Sequence, residues 1–204
     1  MTPLVSDITG FELQQPDWAR VALAQLPDTI LDITEQMRAV IRFSEENIVQ
    51  GTGGPFAAGV FEIRTGRVMT IGVNRVMASN CSSAHAEVMA LSLAQQSRAH
   101  FDLGAAGAEP CQLVVNWRPC AMCFGALIWS GVRSLVIAGA GPELESITGF
   151  DEGPIHPNWR AELSNRGIRL TEDVLTAEAV AVFRKFRDSG AFVYNGRQGQ
   201  SLAE

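Results

Sequence analysis

The sequence predicts a layered α/β domain built around a mixed sheet. Two apolar runs at 56–63 and 68–73 flank the turn signal at Gly66, which is typical of two strands joined by a hairpin. Further apolar runs at 111–117 and 134–138 alternate with stretches of helical spacing. The resulting order of helix, hairpin, helix, strand, helix, strand and helix indicates a sheet with helices packed against it.

The helices are predicted from apolar residues at helical spacing and from their flanking residues. Ser82 or Ser83 can cap the second helix. Pro119 fits the first position of the third helix, since proline is tolerated there, and Gly131 ends that helix. The predicted helices span 28–46, 84–96, 120–130, 159–165 and 177–188, and a short strand is predicted at 169–171.

Three segments are expected along the chain. Residues 1–26 carry little periodicity and are predicted to be a loosely ordered N-terminal arm. Residues 27–190 form the predicted domain, and residues 191–204 form a tail that is polar apart from 192–194.

Composition and charge argue against several classes of partner. The 204-residue chain has a net charge of -6 and no run rich in Lys or Arg, whereas nucleic-acid binding depends on neutralising phosphates. No apolar run is long enough to cross a bilayer, and residues 1–20 lack the basic and apolar regions of a signal peptide. The sequence therefore predicts a cytoplasmic protein that binds neither nucleic acid nor a membrane.

Two short motifs predict a zinc site. His85 precedes Glu87 by two residues, and Cys120 and Cys123 are three residues apart at the start of a predicted helix. One imidazole and two thiolates make the three-ligand set of catalytic zinc, which keeps one position for water. A helix start favours thiolate over thiol, and a carboxylate beside zinc-bound water can accept its proton.

Two other interpretations of these motifs remain open. A structural zinc site needs a fourth ligand, which Cys81, Cys111, His100 or His156 could supply. A thiol redox protein needs only the cysteine pair, and would leave His85 without a role.

His-x-Glu followed by Pro-Cys-x-x-Cys is the signature of zinc deaminases. On these motifs the chain resembles the cytidine-deaminase-like superfamily, and within it the bacterial guanine deaminases. The resemblance implies a three-layer fold with a central mixed sheet flanked by helices, and Zn2+ as cofactor. The supporting stretches are Gly53-Gly54-Pro55-Phe56, Gly72-Val73-Asn74, Ala84-His85-Ala86-Glu87, Cys120-Ala121-Met122-Cys123-Phe124-Gly125-Ala126 and Gly149-Phe150-Asp151-Glu152.

The resemblance also implies roles in catalysis for the zinc ligands and for three acidic residues. By similarity, His85, Cys120 and Cys123 bind zinc, and Glu87 is the general acid and base. Asp151 or Glu152 relays a proton to the leaving amine, with a solvated loop as the alternative for both.

Five further residues are implied to bind the substrate. Asn74 would hydrogen-bond the base, the backbone at Ala86 would help to hold the zinc-ligating end, and Phe56 and Trp129 would flank the ring. Tyr194 would close a pocket. The alternatives are a turn position for Asn74 and core packing for Phe56 and Trp129.

The implied reaction is hydrolytic deamination of a free heterocyclic base, with guanine giving xanthine and ammonia. An aminotriazine, an aminopterin, cytosine or tRNA adenosine are the alternative substrates. The implied assembly is a homodimer that exchanges C-terminal segments. One departure bears on the substrate: many relatives carry Glu directly before Pro-Cys, where this chain has Arg118.

Overall fold

The computed structural model describes residues 10–196, so the outer parts of the predicted arm and tail, 1–9 and 197–204, lie outside the described residues. The elements in chain order are α1 (Asp17–Ala24), α2 (Ile33–Val49), β1 (Ala57–Glu62), β2 (Val68–Val73), α3 (Val76–Ser79), α4 (Ala86–Arg98), β3 (Cys111–Val115), α5 (Ala121–Trp129), β4 (Ser134–Ile137), α6 (Glu143–Thr148), α7 (Trp159–Asn165), β5 (Arg169–Thr171) and α8 (Thr176–Asp188).

Five strands form one mixed sheet in the order β2-β1-β3-β4-β5. Strand β1 pairs antiparallel with both β2 and β3, whereas β3 with β4 and β4 with β5 are parallel. Helix α5 connects β3 to β4, because parallel neighbours need a crossover connection. The carboxyl ends of β2 and β3 therefore meet at one edge of the sheet, together with the amino end of β1.

Helices cover both faces of the sheet. In β3, Val114 packs with α2 and α8 on one face, and Leu113 and Val115 pack with α4 and α5 on the other. This alternation follows from the two-residue period of a strand. Gly72 in β2 allows α4 to approach closely, because a Cβ there would lie 2.5 Å from the backbone nitrogen of Ala90. The predicted three-layer fold with a mixed sheet is confirmed.

Three helices begin later than the sequence predicts. The helix predicted at 84–96 runs over Ala86–Arg98, and its N-cap is His85 where Ser82 or Ser83 was predicted. The predicted helix 28–46 runs over Ile33–Val49, because Asp32 caps it by accepting a hydrogen bond from the Thr34 N–H. Pro119 was expected at the first position of the third helix, but that helix begins at Ala121 with Cys120 as its N-cap. Pro119 therefore precedes the helix, and Cys120 keeps an extended backbone.

Three helices were not predicted. Helix α1 lies in the segment expected to be a loose arm, and its Ala19 is buried against the core. Helices α3 and α6 have four and six residues, too few to show a clear helical period. Within residues 10–196, no helix is both long and apolar enough to cross a membrane.

Candidate active site

His85, Cys120 and Cys123 come together at the sheet edge where β2 and β3 end. His85 is the N-cap of α4, and Cys120 is the N-cap of α5. Both positions have an extended backbone, so each side chain sits at a helix start. The two motifs converge because each lies in the connection between a buried strand and the next long helix: His85 between β2 and α4, and Cys120 between β3 and α5.

The cluster fits a zinc ion. One ligand atom from each residue lies within 4.8 Å of the others, and Cys120 Sγ is 3.6 Å from His85 Nδ1. Zinc bonds of about 2.0–2.3 Å put neighbouring ligand atoms of a tetrahedron roughly 3.3–3.8 Å apart. These three side chains can therefore hold zinc with small adjustments of their rotamers.

The thiols are prepared for metal binding. A hydrogen bond from Cys123 is the largest of the interactions that lower the pKa of Cys120, to about 4. Burial opposes this shift, whereas the hydrogen bond with His85 and the Cys123 N–H at the helix start reinforce it. The same hydrogen bond, in which Cys123 is the donor, and burial raise the pKa of Cys123. Cys120 therefore provides a thiolate first, and a bound cation would draw the proton from Cys123 as well.

The rival structural-zinc interpretation needs a fourth protein ligand. Among the described residues, the cluster of His, Cys, Asp and Glu that could hold a metal contains only His85, Cys120 and Cys123. Cys81 Sγ contacts Ser83 Oγ instead, and Cys111 Sγ lies 3.5 Å from the sulfur of Met69. The three-ligand count is the one that catalytic zinc sites use.

Glu87 lies beside the cluster. It belongs to the first turn of α4 and is buried, yet it lines the same cavity as His85 and Cys120. Burial, followed by the neighbouring Cys120 thiolate, raises the pKa of Glu87. A divalent cation held by the three ligands would act in the opposite direction, because it favours the carboxylate.

The two acidic residues of the following loop are not equivalent. Glu152 is 9% exposed, and burial raises its pKa to about 8, with Cys120 and Glu87 adding to the shift. Asp151 is exposed, and its Oδ1 accepts a hydrogen bond from the Gly153 N–H within a turn. Both residues line the cavity, but only Glu152 is withdrawn from solvent towards the cluster.

The cavity has a volume of about 160 Å³ and an aromatic wall. Phe150 packs edge-on against Phe56, with ring centroids 5.1 Å apart, and lies 4.9 Å from the ring of Tyr194. Tyr194 is held over its own chain's cavity, because the neighbouring Asn195 donates to the Gly149 carbonyl and accepts from the Asp151 N–H. The exchange of C-terminal segments between subunits stays a prediction.

Trp129 was expected to flank a bound ring, and the structure places it elsewhere. It ends α5, is 86% exposed and does not line the cavity of its own chain. The reason is helical geometry, since six residues after Cys123 the side chain has turned to another face and moved roughly 9 Å along the axis. Trp129 therefore does not flank the cavity of its own chain, and its contact with a bound ring stays a prediction.

Asn74 and Ala86 are both fully buried, and neither lines the cavity surface. Ala86 is the first residue of α4, directly after His85. Asn74 follows β2, and its Nδ2 has no hydrogen-bond partner among the described residues. The hydroxyl of Tyr194 is likewise buried and has no hydrogen-bond partner within residues 10–196, and Tyr194 lines the cavity.

Several cavity residues were not singled out from the sequence. Trp117, Leu144, Phe150 and Asn195 line the cavity. Trp117 closely precedes the cysteine motif, Phe150 precedes Asp151 and Asn195 follows Tyr194, so each could have been found as a neighbour of a predicted site residue. Leu144 belongs to α6, which the sequence did not predict, and it had no such neighbour.

Arg118 lines the cavity and is mostly buried. Its Nη1 donates to the Ala140 carbonyl at 3.1 Å, and its Nη2 lies 3.9 Å from Glu145 Oε1. Its positive charge opposes the rise in the pKa of Glu152. Arg118, at a position where many relatives carry Glu, therefore affects the site by limiting the rise in the pKa of Glu152. It does not belong to the cluster of zinc ligands.

Comparison with known proteins gives the family. Residues 32–139 match the family model described as the cytidine and deoxycytidylate deaminase zinc-binding region. The chain belongs to this family. It is therefore a zinc-dependent deaminase, and both the predicted enzyme class and the predicted Zn2+ cofactor are confirmed.

Within the deaminase family, the chain is similar to guanine deaminases. It is 29% identical to the guanine deaminase of Bacillus subtilis (strain 168) over 152 residues, which is 74% of this chain and 92% of that protein. A solved structure of guanine deaminase from Nitrosomonas europaea is 42% identical, covers 88% of this chain and 97% of that one, and has a TM-score of 0.83. A variant protein solved with 8-azaguanine is 41% identical, covers 89% and 98%, and has a TM-score of 0.84.

Proposed function

We propose that this deaminase hydrolyses guanine to xanthine and ammonia. The observation that carries the proposal is the buried Glu87 beside a three-ligand zinc cluster, in a cavity with an aromatic wall. Such a wall suits a planar base, because rings pack well against aromatic side chains. The similarity to guanine deaminases supports guanine over other bases.

His85, Cys120 and Cys123 would hold a zinc ion, which would supply the Lewis acidity that makes water acidic near neutral pH. Glu87 is placed to take a proton from the attacking water as the oxygen of that water bonds to the ring carbon bearing the amino group. Glu87 then delivers the proton to the adjacent ring nitrogen. One buried carboxylate thus serves as base and as acid.

Glu152 is the residue that we assign to the leaving group. When the carbon–nitrogen bond breaks, the amine must gain a proton to depart as ammonia, and the new hydroxyl group on the same carbon loses its proton to the vacated carboxylate as it becomes a carbonyl. Glu152 is buried and lines the cavity, and burial together with the neighbouring Cys120 raises its pKa, whereas Asp151 is exposed. Asp151 is assigned to the turn, where it accepts a hydrogen bond from Gly153.

A substrate panel tests the proposed function. Zinc-loaded protein is incubated with guanine, cytosine, adenine, an aminotriazine, an aminopterin and tRNA, and ammonia release is measured. We expect guanine to have the largest kcat/KM and tRNA to release no ammonia above background. A larger kcat/KM for another base would replace guanine as the substrate, and release from tRNA alone would support the polynucleotide alternative.

We also propose that the protein is a homodimer that covers the outer face of α5. None of the nine residues of α5 has a charged or amide side chain, yet only Cys123 and Leu127 are buried. Met122 is 40% exposed and Trp129 86% exposed. An apolar helix that is exposed on its outer face is typical of a subunit interface.

We expect the protein to have the mass of a dimer by light scattering, and Trp129→Glu to shift it towards the monomer, because burying a carboxylate at the interface is unfavourable. Phe101→Glu is the matched control, since Phe101 is 79% exposed and lies outside α5. A wild-type protein that has the mass of a monomer over the accessible concentration range would contradict the dimer. The cytoplasmic location stays a prediction, and guanine as the substrate would give the protein a role in purine catabolism.

A further inference from the structure

A chain of hydrogen bonds runs from α1 to Asn74. The Trp18 Nε1–H donates to Thr52 Oγ1 at 2.9 Å, and the Thr52 hydroxyl donates to Asn47 Oδ1 at 2.7 Å. Asn47 Nδ2 then donates to the carbonyls of Gly54 and Asn74, at 2.9 and 3.1 Å. Residues separated by up to 56 positions in the sequence are thereby linked in series.

The centre of this chain has little freedom. Asn47 and Asn74 are both fully buried, and a buried amide is costly unless it is hydrogen-bonded. Gly53 lies against both: a Cβ there would be 2.0 Å from the Asn74 carbonyl oxygen and 2.6 Å from Asn47 Nδ2. The loop 51–54 is therefore fixed against Asn74 by hydrogen bonds and by close packing.

The orientation of the Asn74 side chain follows from its neighbours. Its Oδ1 accepts long hydrogen bonds from the backbone N–H groups of Gly54 and Val76, at 3.5 and 3.4 Å. Its Nδ2, in contrast, has no partner within hydrogen-bond distance among residues 10–196; it faces the equally unpaired hydroxyl of Tyr194, which lines the cavity. Burial raises the pKa of Tyr194, and this contact with Asn74 opposes the rise. Within residues 10–196, the Asn74 acceptor is therefore occupied, whereas its donors face the cavity side without a hydrogen-bonded partner.

We propose that Asn47 is a positioning residue that, held by Thr52 and Trp18, orients Asn74 as a hydrogen-bond donor to the base. The inference rests on the proposed function, because it assumes that Asn74 contacts the substrate. It specifies the chemistry that Asn74 recognises: a carbonyl oxygen or an unprotonated ring nitrogen, which accepts a hydrogen bond. An amino group at the same edge would be disfavoured.

The proposal gives the N-terminal segment a role in the active site. Trp18 lies outside residues 32–139, which the family model matches. Arg75, directly after Asn74, reinforces the connection, because its Nη1 donates to the Thr52 carbonyl at 2.8 Å and its Nε to the Gln14 carbonyl at 3.2 Å. Helix α1 and the residues before it thus brace the loop that holds Asn74.

Conservative variants of the zinc-loaded full chain test this inference. Thr52→Val keeps the shape of the side chain but removes the hydroxyl, and Trp18→Phe keeps an aromatic ring but removes the N–H. We expect Thr52→Val to raise KM for guanine, and the inhibition constant of 8-azaguanine, by about fivefold to tenfold with kcat within twofold. Trp18→Phe should raise both constants less, and should add little when combined with Thr52→Val, since both changes interrupt one series.

The controls separate positioning from general destabilisation. Thr52→Ser retains the hydroxyl and should retain the wild-type KM. Thr65→Val removes a hydroxyl that donates to Glu62 at 2.7 Å in the β1–β2 turn, far from the site, and should also leave KM unchanged. Zinc content and Tm are measured for every variant, so that a loss of fold is recognised.

Two outcomes overturn the inference: a wild-type KM and inhibition constant for Thr52→Val, or an equal rise of KM in Thr65→Val. Failure of the proposed function is a different result, because the wild-type protein would then release no ammonia from guanine. In that case the same KM comparison is made on the base that the substrate panel identifies, and an unchanged KM there overturns the inference.

Discussion

Replacing Glu87 by glutamine is expected to lower kcat by about 10²–10⁴-fold while zinc remains bound. Glutamine has nearly the same size as glutamate, so the buried position in the first turn of α4 should be preserved. Its amide, however, cannot accept a proton from water or return one to the ring. Steady-state kinetics with guanine, together with the zinc content of the purified protein, measure this effect.

Glu178→Gln is the matched control for Glu87→Gln. Glu178 is a half-exposed residue of α8, its Oε1 lies 3.8 Å from Arg38 Nη2, and it does not line the cavity. Its variant should keep the wild-type kcat and KM. A Glu87→Gln protein that retains near-full turnover would show that another group moves the proton, and the assignment of Glu87 would then be abandoned.

Removing the metal is expected to have an equally large effect. Chelation, or the variant Cys123→Ala, should reduce ammonia release to the background rate, because no other group of the cavity makes water sufficiently acidic. Adding zinc should restore the chelated wild-type protein but not Cys123→Ala. Metal analysis should give a single zinc ion per wild-type chain and a strongly reduced content in the variant.

Cys81→Ser and Cys111→Ser separate catalytic from structural zinc. Neither cysteine belongs to the ligand cluster, so both variants should keep their zinc and their activity. A loss of zinc in either one would mean a fourth protein ligand and would support the structural alternative. Activity that persists in metal-free protein would instead support chemistry of the Cys120 and Cys123 thiols alone.

The zinc site could be predicted from the sequence because its information is local. His85 and Glu87 share one short motif, and Cys120 and Cys123 share another. Each motif follows an apolar run that predicts a strand, so their meeting at one sheet edge follows from the order of elements. The strands at 68–73 and 169–171 and the helix at 159–165 were predicted with the bounds that the structure has.

The parts that could not be predicted depend on long-range packing. Helix α1 has eight residues and is stabilised by contacts with α2 and β2, so its own periodicity is a weak signal. The start of α2 depends on residues 28–30, which pair with the hairpin turn and so leave the helical pattern. The spacing of apolar residues along the sequence indicates neither the packing of α1 nor the pairing of residues 28–30 with the hairpin turn.

The same limit applies to the substrate side of the site. Trp129 was assigned by its motif, but exposure of a helical residue depends on what packs beside the helix. Asn47 and Thr52 gave no sequence signal, since Asn47 stands 27 positions before the residue that it holds. Asn74 was predicted to hydrogen-bond the base, but the sequence did not indicate that, within residues 10–196, its acceptor is occupied and only its donors lack a partner.

The placement of the zinc ligands at helix N-caps has a consequence for how the enzyme matures. His85 and Cys120 are anchored by α4 and α5, which pack on the sheet through apolar residues. Small zinc modules acquire their shape only when the metal arrives. In this larger domain the two helices have an apolar core of their own to pack on, so we expect the chain to fold first and to take up zinc afterwards.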